Sequence, residues 1–389
     1  MEYKDFDDLT NHLPGLAKKM RDFKDILLAN LIMIGENPAP TFHEEQRIQF
    51  IVDRFTEAGL SESSVDDAGN GIGVLEGSEG ENSILINAHA DTVFSDKIDH
   101  TLQVLKNTVI GPGVADNSLG LAVLVSIPLI LDELDIKLKN NLILLGGTKS
   151  LGRGNLEGIR FFLENNHFSN ISAGLCVEGV ELGRLSYSSI GMLRGEITCT
   201  VPESYDWSRF GDASAILTLN EVINKINDTR LPSRPRTSII MGSISGGTSF
   251  NTIARDATLG FEVRSESEEV VNDVGNTIKN IVMEVTSKTG DHINLDIFAG
   301  RSPGGIPYAH PLNECVRKIM KSLNIKPRLA PSTSELAAFI DKKIPALTLG
   351  ITTGDHINKK NESIKIDPAF TGLAQLISTI IAIDGGFCG

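Results

Sequence analysis

Residues 5–35 and 43–59 place apolar side chains three to four positions apart, which predicts helical segments at the amino end of the chain. Further on, short apolar runs alternate with longer amphipathic ones. Runs without polar alternation are what strands buried on both faces of a parallel sheet require. The pattern predicts strands at Ser83–Ala88, Asn141–Leu145, Ala173–Val177 and Pro345–Leu349, with a crossover helix over Ser118–Leu134 between the first two. That order predicts an α/β fold, with a mixed, mostly parallel sheet flanked by helices.

Near Gly191 the pattern changes. Strands are predicted at Met192–Val201, Thr237–Ile244, Ala257–Arg264 and Ile293–Phe298, with helices at Asp212–Asn227 and Glu266–Lys288. The order βαββαβ is a compact ferredoxin-like unit. After the linker GRSPGG, 300–305, the earlier alternation resumes. The expected organisation is therefore a larger domain from 1–190 and 301–389 that carries an inserted domain, 191–300.

Composition narrows the class. At 389 residues the chain exceeds a usual single core, in keeping with two domains. A formal charge of −14, from 36 Lys and Arg against 50 Asp and Glu, argues against nucleic-acid or acidic-membrane binding. The first residues, MEYKDFDDLT, lack the layout of a signal peptide. No apolar run approaches the roughly 18 residues of a membrane span, and 119–131 reads as a buried helix. Cys176, Cys199, Cys315 and Cys388 lie far apart without a CxxC, which argues against a disulfide framework or thiolate metal site and fits a reducing cytoplasm.

Ligands of open α/β sheets bind at the carboxyl ends of strands. After ILINA come His89 and Asp91; after GLCV comes Glu178; after ALTLGITTG come Asp355 and His356; and the loop GPGVADNSLG carries Asp116. Taken singly, each has an ordinary reading: a hydrogen-bonded histidine, a turn aspartate, an N-cap. Together at one sheet edge, imidazole and carboxylates suit Zn²⁺, Mn²⁺ or Co²⁺.

With those motifs in place, the chain resembles the co-catalytic di-zinc metallopeptidases and deacylases, a family that includes aminoacylase, glutamate carboxypeptidase, peptidase T, acetylornithine deacetylase and succinyl-diaminopimelate desuccinylase. AHAD matches the family's His-x-Asp, GPGVADNSLG its Gly-x-Gly-x-x-Asp loop, VEG (177–179) its single carboxylate, and DHINKKNES (355–363) its late His and Glu. GGTSFNTIARDATLGFEVRS (246–265) matches the signature of its lid. The resemblance implies that His89, Asp116 and Glu178 bind one metal ion, that Asp116 bridges to a second held by His356, and that Asp91 orients His89. It also implies a cis Asp116–Asn117 peptide and a homodimer formed through the lid. Asn251, Arg264, Gly304 and Gly305 match positions that hold a substrate carboxylate, although Arg264 also reads as a structural salt bridge.

One segment departs from this pattern. The family carries two adjacent glutamates after the strand matching Asn141–Leu145, one the general base and one a ligand of the second ion. Here the position reads Thr148-Lys149-Ser150-Leu151, and no Asp or Glu lies between Asp135 and Glu157. In one register Lys149 and Ser150 replace the pair, and in the other Ser150 and Leu151 do. The second ion is thereby weakened, and a base commonly worth about 10²–10⁴ in rate is lost. The ammonium of Lys149 reads either as a stand-in for the second ion beside Asp116 or as a solvated surface group. Tyr205 stands where the lid usually has a histidine, and Ser334 where the acid of Ser-Thr-Asp is expected.

Three readings follow. The first is a metal-dependent hydrolase of a small peptide or an N-acyl amino acid. The second is a non-catalytic relative that binds a peptide-like ligand or a partner protein. The third is a one-metal enzyme with a substitute base such as Lys149 or Glu157. Loss of the glutamate pair favours the impaired and non-catalytic readings over two-metal hydrolysis, because such residues act as a unit.

Overall fold

Eight strands lie side by side in the larger part of the molecule, in the order Ser61–Val65, Gly71–Leu75, Asn141–Gly147, Ser83–His89, Ile171–Val180, Ala346–Thr352, Arg184–Ser186 and Arg328–Leu329. The computed structural model describes residues 3–168, 170–205 and 214–388. The chain divides into two compact units, Met1–Ser189 with Gly305–Gly389, and Ile190–Gly304.

The four central strands of the large sheet are mutually parallel. Ser83–His89 and Ala346–Thr352 are buried at every position, as a sheet covered by helices on both faces demands. Antiparallel pairs close the sheet on either side. The sequence pattern missed Ser61–Val65, and the reason is visible in SESSV. This strand has one apolar residue and is largely exposed, so no hydrophobic period marks it.

The crossover helix occupies Leu119–Glu133, and 12 of its 15 residues are buried. A helix apolar on all sides has to be enclosed, and its neighbour Lys24–Gly35 is joined to it by a hydrogen bond from Asn30 Nδ2 to Ser126 Oγ (3.0 Å). By length and composition alone, two helical stretches could cross a membrane, contrary to the sequence expectation: Val114–Glu133 and Ile366–Asp384. Their most apolar windows are 89% and 78% buried within the fold, because both cover the central sheet as core helices. The helix over 5–35 is two helices, Phe6–Lys19 and Lys24–Gly35, joined by a 3₁₀ turn.

Cys315 and Cys388 form a disulfide across 73 residues, with Cα atoms 5.5 Å apart. This corrects the expectation from cysteine spacing. Separation along the chain does not measure separation in space: helix Pro311–Ser322 and the carboxyl-terminal segment pack together. The pairing removes the cysteine argument for a reducing compartment.

In the smaller unit four antiparallel strands lie in the order Thr237–Gly246, Asp256–Ser265, Gly191–Thr200 and His292–Arg301. Helices Ala215–Asn227 and Glu268–Thr289 pack against it through Leu219, Val222, Ile278 and Val282, which meet Ile197, Cys199, Phe261 and Val263. Ser214 and Ser267 cap these helices by accepting the amides of Leu217 and Val270. The expected start of the first helix at Asp212 lies outside the described residues.

Behind the carboxyl edge of the large sheet, the short helix Leu336–Asp341 sets Phe339 against Gly174. A Cβ at position 174 would lie 2.3 Å from the Phe339 ring. Gly174→Ala is therefore expected to lower stability by about 1–3 kcal/mol through overpacking, measured by urea denaturation. An unchanged midpoint would show that the helix yields freely.

Candidate metal centre

His89 ends a central strand, and its imidazole is held at both nitrogens. Nδ1 lies 3.0 Å from the Asp91 carbonyl oxygen and 3.4 Å from Asp91 Oδ1. Asp91 Oδ2 accepts hydrogen bonds from the Thr41 hydroxyl and the Leu151 amide, both at 2.8 Å, so it is itself fixed. A proton kept on Nδ1 leaves Nε2 to face the site. There Nε2 meets Asp116 Oδ1 at 3.0 Å.

Asp116 lies in the loop before the crossover helix, and its peptide bond to Asn117 is cis. Asn117 ties this loop to the strand that carries Glu178: its Nδ2 donates to the Val177 carbonyl and its Oδ1 accepts from the Gly179 amide, each at 2.8 Å. Gly179 is required here, because a Cβ would stand 2.4 Å from the Ala115 carbonyl oxygen. From the other side Glu362, wholly buried, accepts the amides of Ala115 (3.1 Å), Asp116 (3.4 Å) and Asn358 (2.7 Å). The DHINKKNES motif thus contributes a loop clamp through its glutamate.

One ligand atom from each of His89, Asp116 and Glu178 lies within 4.8 Å of the others. Their electrostatics suit a cation. Burial pushes the Glu178 carboxyl up to about 7, with Arg184 and His89 opposing and Glu335 and Asp116 adding to the rise. Burial opposes charge on His89, but hydrogen bonds to Asp116 and Asp91 outweigh it and hold the imidazole well above its ordinary value. A divalent ion among one imidazole and two carboxylates would compensate this buried negative charge.

His356 is not brought into this group. It is exposed, in the left-handed region at φ +61°, on the turn after Gly354–Asp355. Segment 148–151 is held by three buried acceptors: Asn70 Oδ1 takes the Thr148 amide (2.9 Å), Glu44 Oε1 the Lys149 amide (2.9 Å), and Asp91 the Leu151 amide. Lys149 turns its ammonium onto Glu157 Oε1 (2.7 Å), the glutamate being about half exposed. This corrects the reading of Lys149 as a cation beside Asp116, and it engages Glu157 in an ion pair instead of leaving it as a free base. Ser150 is buried and its hydroxyl has no partner.

Sequence reasoning missed two supports, Glu44 and Asn70, and gave Glu362 no role beyond its place in DHINKKNES, because binding backbone amides leaves no spacing signature. In the 331–339 segment Ser334 pairs with Ser332 at 2.7 Å, and the residue after it, Glu335, is only 3% exposed.

The remaining positions lie in or next to the smaller unit. Tyr205 is half-buried against its core. Arg264 is paired with Glu262, which also binds Arg194, so the structural reading of this arginine describes it. Asn251 lines an open pocket of about 660 Å³ formed by Ser214, Ile216 and residues 246–254. Gly304 closes this unit and Gly305 opens the return segment.

Residues 211–289 match the family profile described as the peptidase dimerisation domain, and residues 70–150, which include His89, Asp91 and Asp116, match the peptidase family M28 profile. No curated protein matches by sequence. Among solved structures, the chain is similar to the di-peptidase Dug1p of Saccharomyces cerevisiae, with 13% identity over 97% of this chain and 99% of that one and a TM-score of 0.82. Human carnosine dipeptidase 1 gives 12% identity, coverage of 96% and 100%, and a TM-score of 0.78. A Bacillus subtilis protein described as a dinuclear metal binding peptidase from the M20 family gives 16%, 93% and 98%, and 0.64. The two profiles agree with the expected resemblance to metallopeptidases over residues 70–150 and 211–289, and the solved structures share the fold. With them stands the expected fold class, a mixed, mostly parallel sheet and an inserted βαββαβ unit.

Apo stability should depend on pH. Both Glu178 and His89 have folded values above their ordinary ones, so each contributes stability that is present at low pH and lost as pH rises. For Glu178 the loss spans the interval from the ordinary carboxylate range to about 7. Melting in chelator is expected to fall between about pH 5 and 8 and to flatten with saturating zinc, which needs the deprotonated ligands. The same slope with and without zinc would contradict the site.

Proposed function

We propose that this chain is a divergent, metal-dependent hydrolase of small peptides or N-acyl amino acids, one that keeps a single firm metal site and has severely impaired turnover. The observation that carries this reading is the contrast between the two walls of the site. His89, Asp116 and Glu178 converge, whereas segment 148–151 offers a serine hydroxyl and a lysine already paired with Glu157. The peptidases and dipeptidases that share the fold support a peptide-like ligand.

A bound zinc, manganese or cobalt ion would supply Lewis acidity toward an amide carbonyl. His89, Asp116 and Glu178 would hold it. Asp91 keeps His89 in the ligating tautomer, and Glu362 and Asn117 fix the Asp116 loop. Asn251 and the glycines at 304 and 305 are the proposed contacts for a ligand carboxylate. Dimerisation through Ile190–Gly304 belongs to the same proposal.

Metal analysis of protein purified without chelator, followed by zinc titration, tests the proposal. One tight ion per chain is expected, with dipeptide hydrolysis at least about 10² below that of an enzyme retaining its base. Two tight ions, or rapid turnover, would overturn it. One tight ion with no detectable hydrolysis would favour the non-catalytic reading. In addition, Lys149→Glu combined with Ser150→Glu should raise the stoichiometry toward two, and no change would place the lost pair elsewhere.

A further inference from the structure

Beneath His89 and Glu178 the sheet carries a buried row of polar side chains. In register across neighbouring strands stand Asn87, Cys176, Thr348 and Ser186. His89 and Glu178 lie two residues further along their strands and so project from the same face. The row is closed to solvent: Asn87 is 1% exposed, Cys176 1%, and Thr348 and Ser186 0%. Both polar atoms of the Asn87 amide and the hydroxyl of Ser186 have no partner.

The roof of this row is helix Leu336–Asp341. It turns through residues 342–345 into strand Ala346–Thr352, and so runs antiparallel to that strand and to its parallel neighbour Ile171–Val180. Phe339 rests on Gly174. One helical turn, about 5.4 Å, spans about two strand residues of about 3.3 Å each. Stepping back one turn from Phe339 sets Glu335 over Cys176, one row from Glu178. Glu335 begins this helix without capping it. The electrostatics agree with the placement. Burial first, then the Glu335 charge, pushes the Cys176 thiol well above its usual value, and the same charge acts on Glu178 and His89.

We propose that Glu335 is a further acidic group of the metal centre, acting from outside the triangle of His89, Asp116 and Glu178. It supplies, from the Ile171–Val180 side of the sheet, counter-charge that the 148–151 side has lost. The inference rests on the metal site proposed above and adds a residue to it. Glu335 is a positioning residue in this account, because it works through the charge it presents to the ion and to Glu178.

Zinc affinity measured by calorimetry on the full chain, with the apo melting temperature recorded for each variant, tests the proposal. Glu335→Gln should bind zinc at least about tenfold more weakly than wild type, because one negative charge near the ion is gone. Glu335→Asp should stay within about threefold, because it keeps that charge. Neither should change the stoichiometry. Zinc binding by Glu335→Gln within twofold of wild type would overturn the assignment while leaving the three-ligand site intact. Failure of the wild-type protein to bind zinc would instead overturn the metal site, and this inference with it. Should the glutamine variant not fold, the aspartate variant decides: wild-type-like affinity is expected, and a tenfold loss despite the retained charge would overturn the account.

Discussion

The site depends on the concentration of negative charge at the buried carboxyl edge of a parallel sheet. Burial in the strand ends strips water from His89, Asp91 and Glu178, and desolvated carboxylates repel one another. Partial remedies are visible within the chain, among them the Arg184 guanidinium 3.9 Å from the Glu178 carboxylate. His89 is drawn toward its charged form between Asp91 and Asp116, and Glu178 is driven toward its neutral form. A divalent cation would satisfy all of them at once, and the surrounding hydrogen bonds hold the three ligand groups close without it.

Much of the surrounding architecture serves to keep that arrangement rigid. Carboxylates and amides here mostly accept hydrogen bonds from backbone: Glu362 on the Asp116 loop, Asp91 on Leu151, Glu44 on Lys149, Asn70 on Thr148. The segment that lacks the expected glutamates is thus as firmly held as the segments that carry ligands. Lys149, folded back onto Glu157, leaves the site's charge to the strands on the other side.

The fold was readable where burial leaves a period in the sequence. Ser83–His89 and the Leu119–Glu133 helix announced themselves as unbroken apolar runs, whereas Ser61–Val65, exposed and serine-rich, left no such trace. The inserted unit was readable as a change of pattern: Gly191–Thr200 is the expected strand shifted by one residue, Thr237–Gly246 and Asp256–Ser265 each run two residues longer than expected, and Ile293–Phe298 extends to His292–Arg301. At the site, His89, Asp116 and Glu178 were visible from strand ends and motif spacing. The direction of Lys149 was not, because a flexible four-carbon stem gives no sign of which carboxylate it will meet. The Cys315–Cys388 pair was hidden for a related reason: it depends on where a helix outside the motifs comes to rest.

Anomalous diffraction at the zinc edge, from crystals of the full-length protein equilibrated with zinc, examines the central claim most directly. The account predicts one strong peak, bonded to His89 Nε2 and to carboxylate oxygens of Asp116 and Glu178. A second peak of similar strength, bridged by Asp116 and held on the Lys149–Ser150 side, would contradict it.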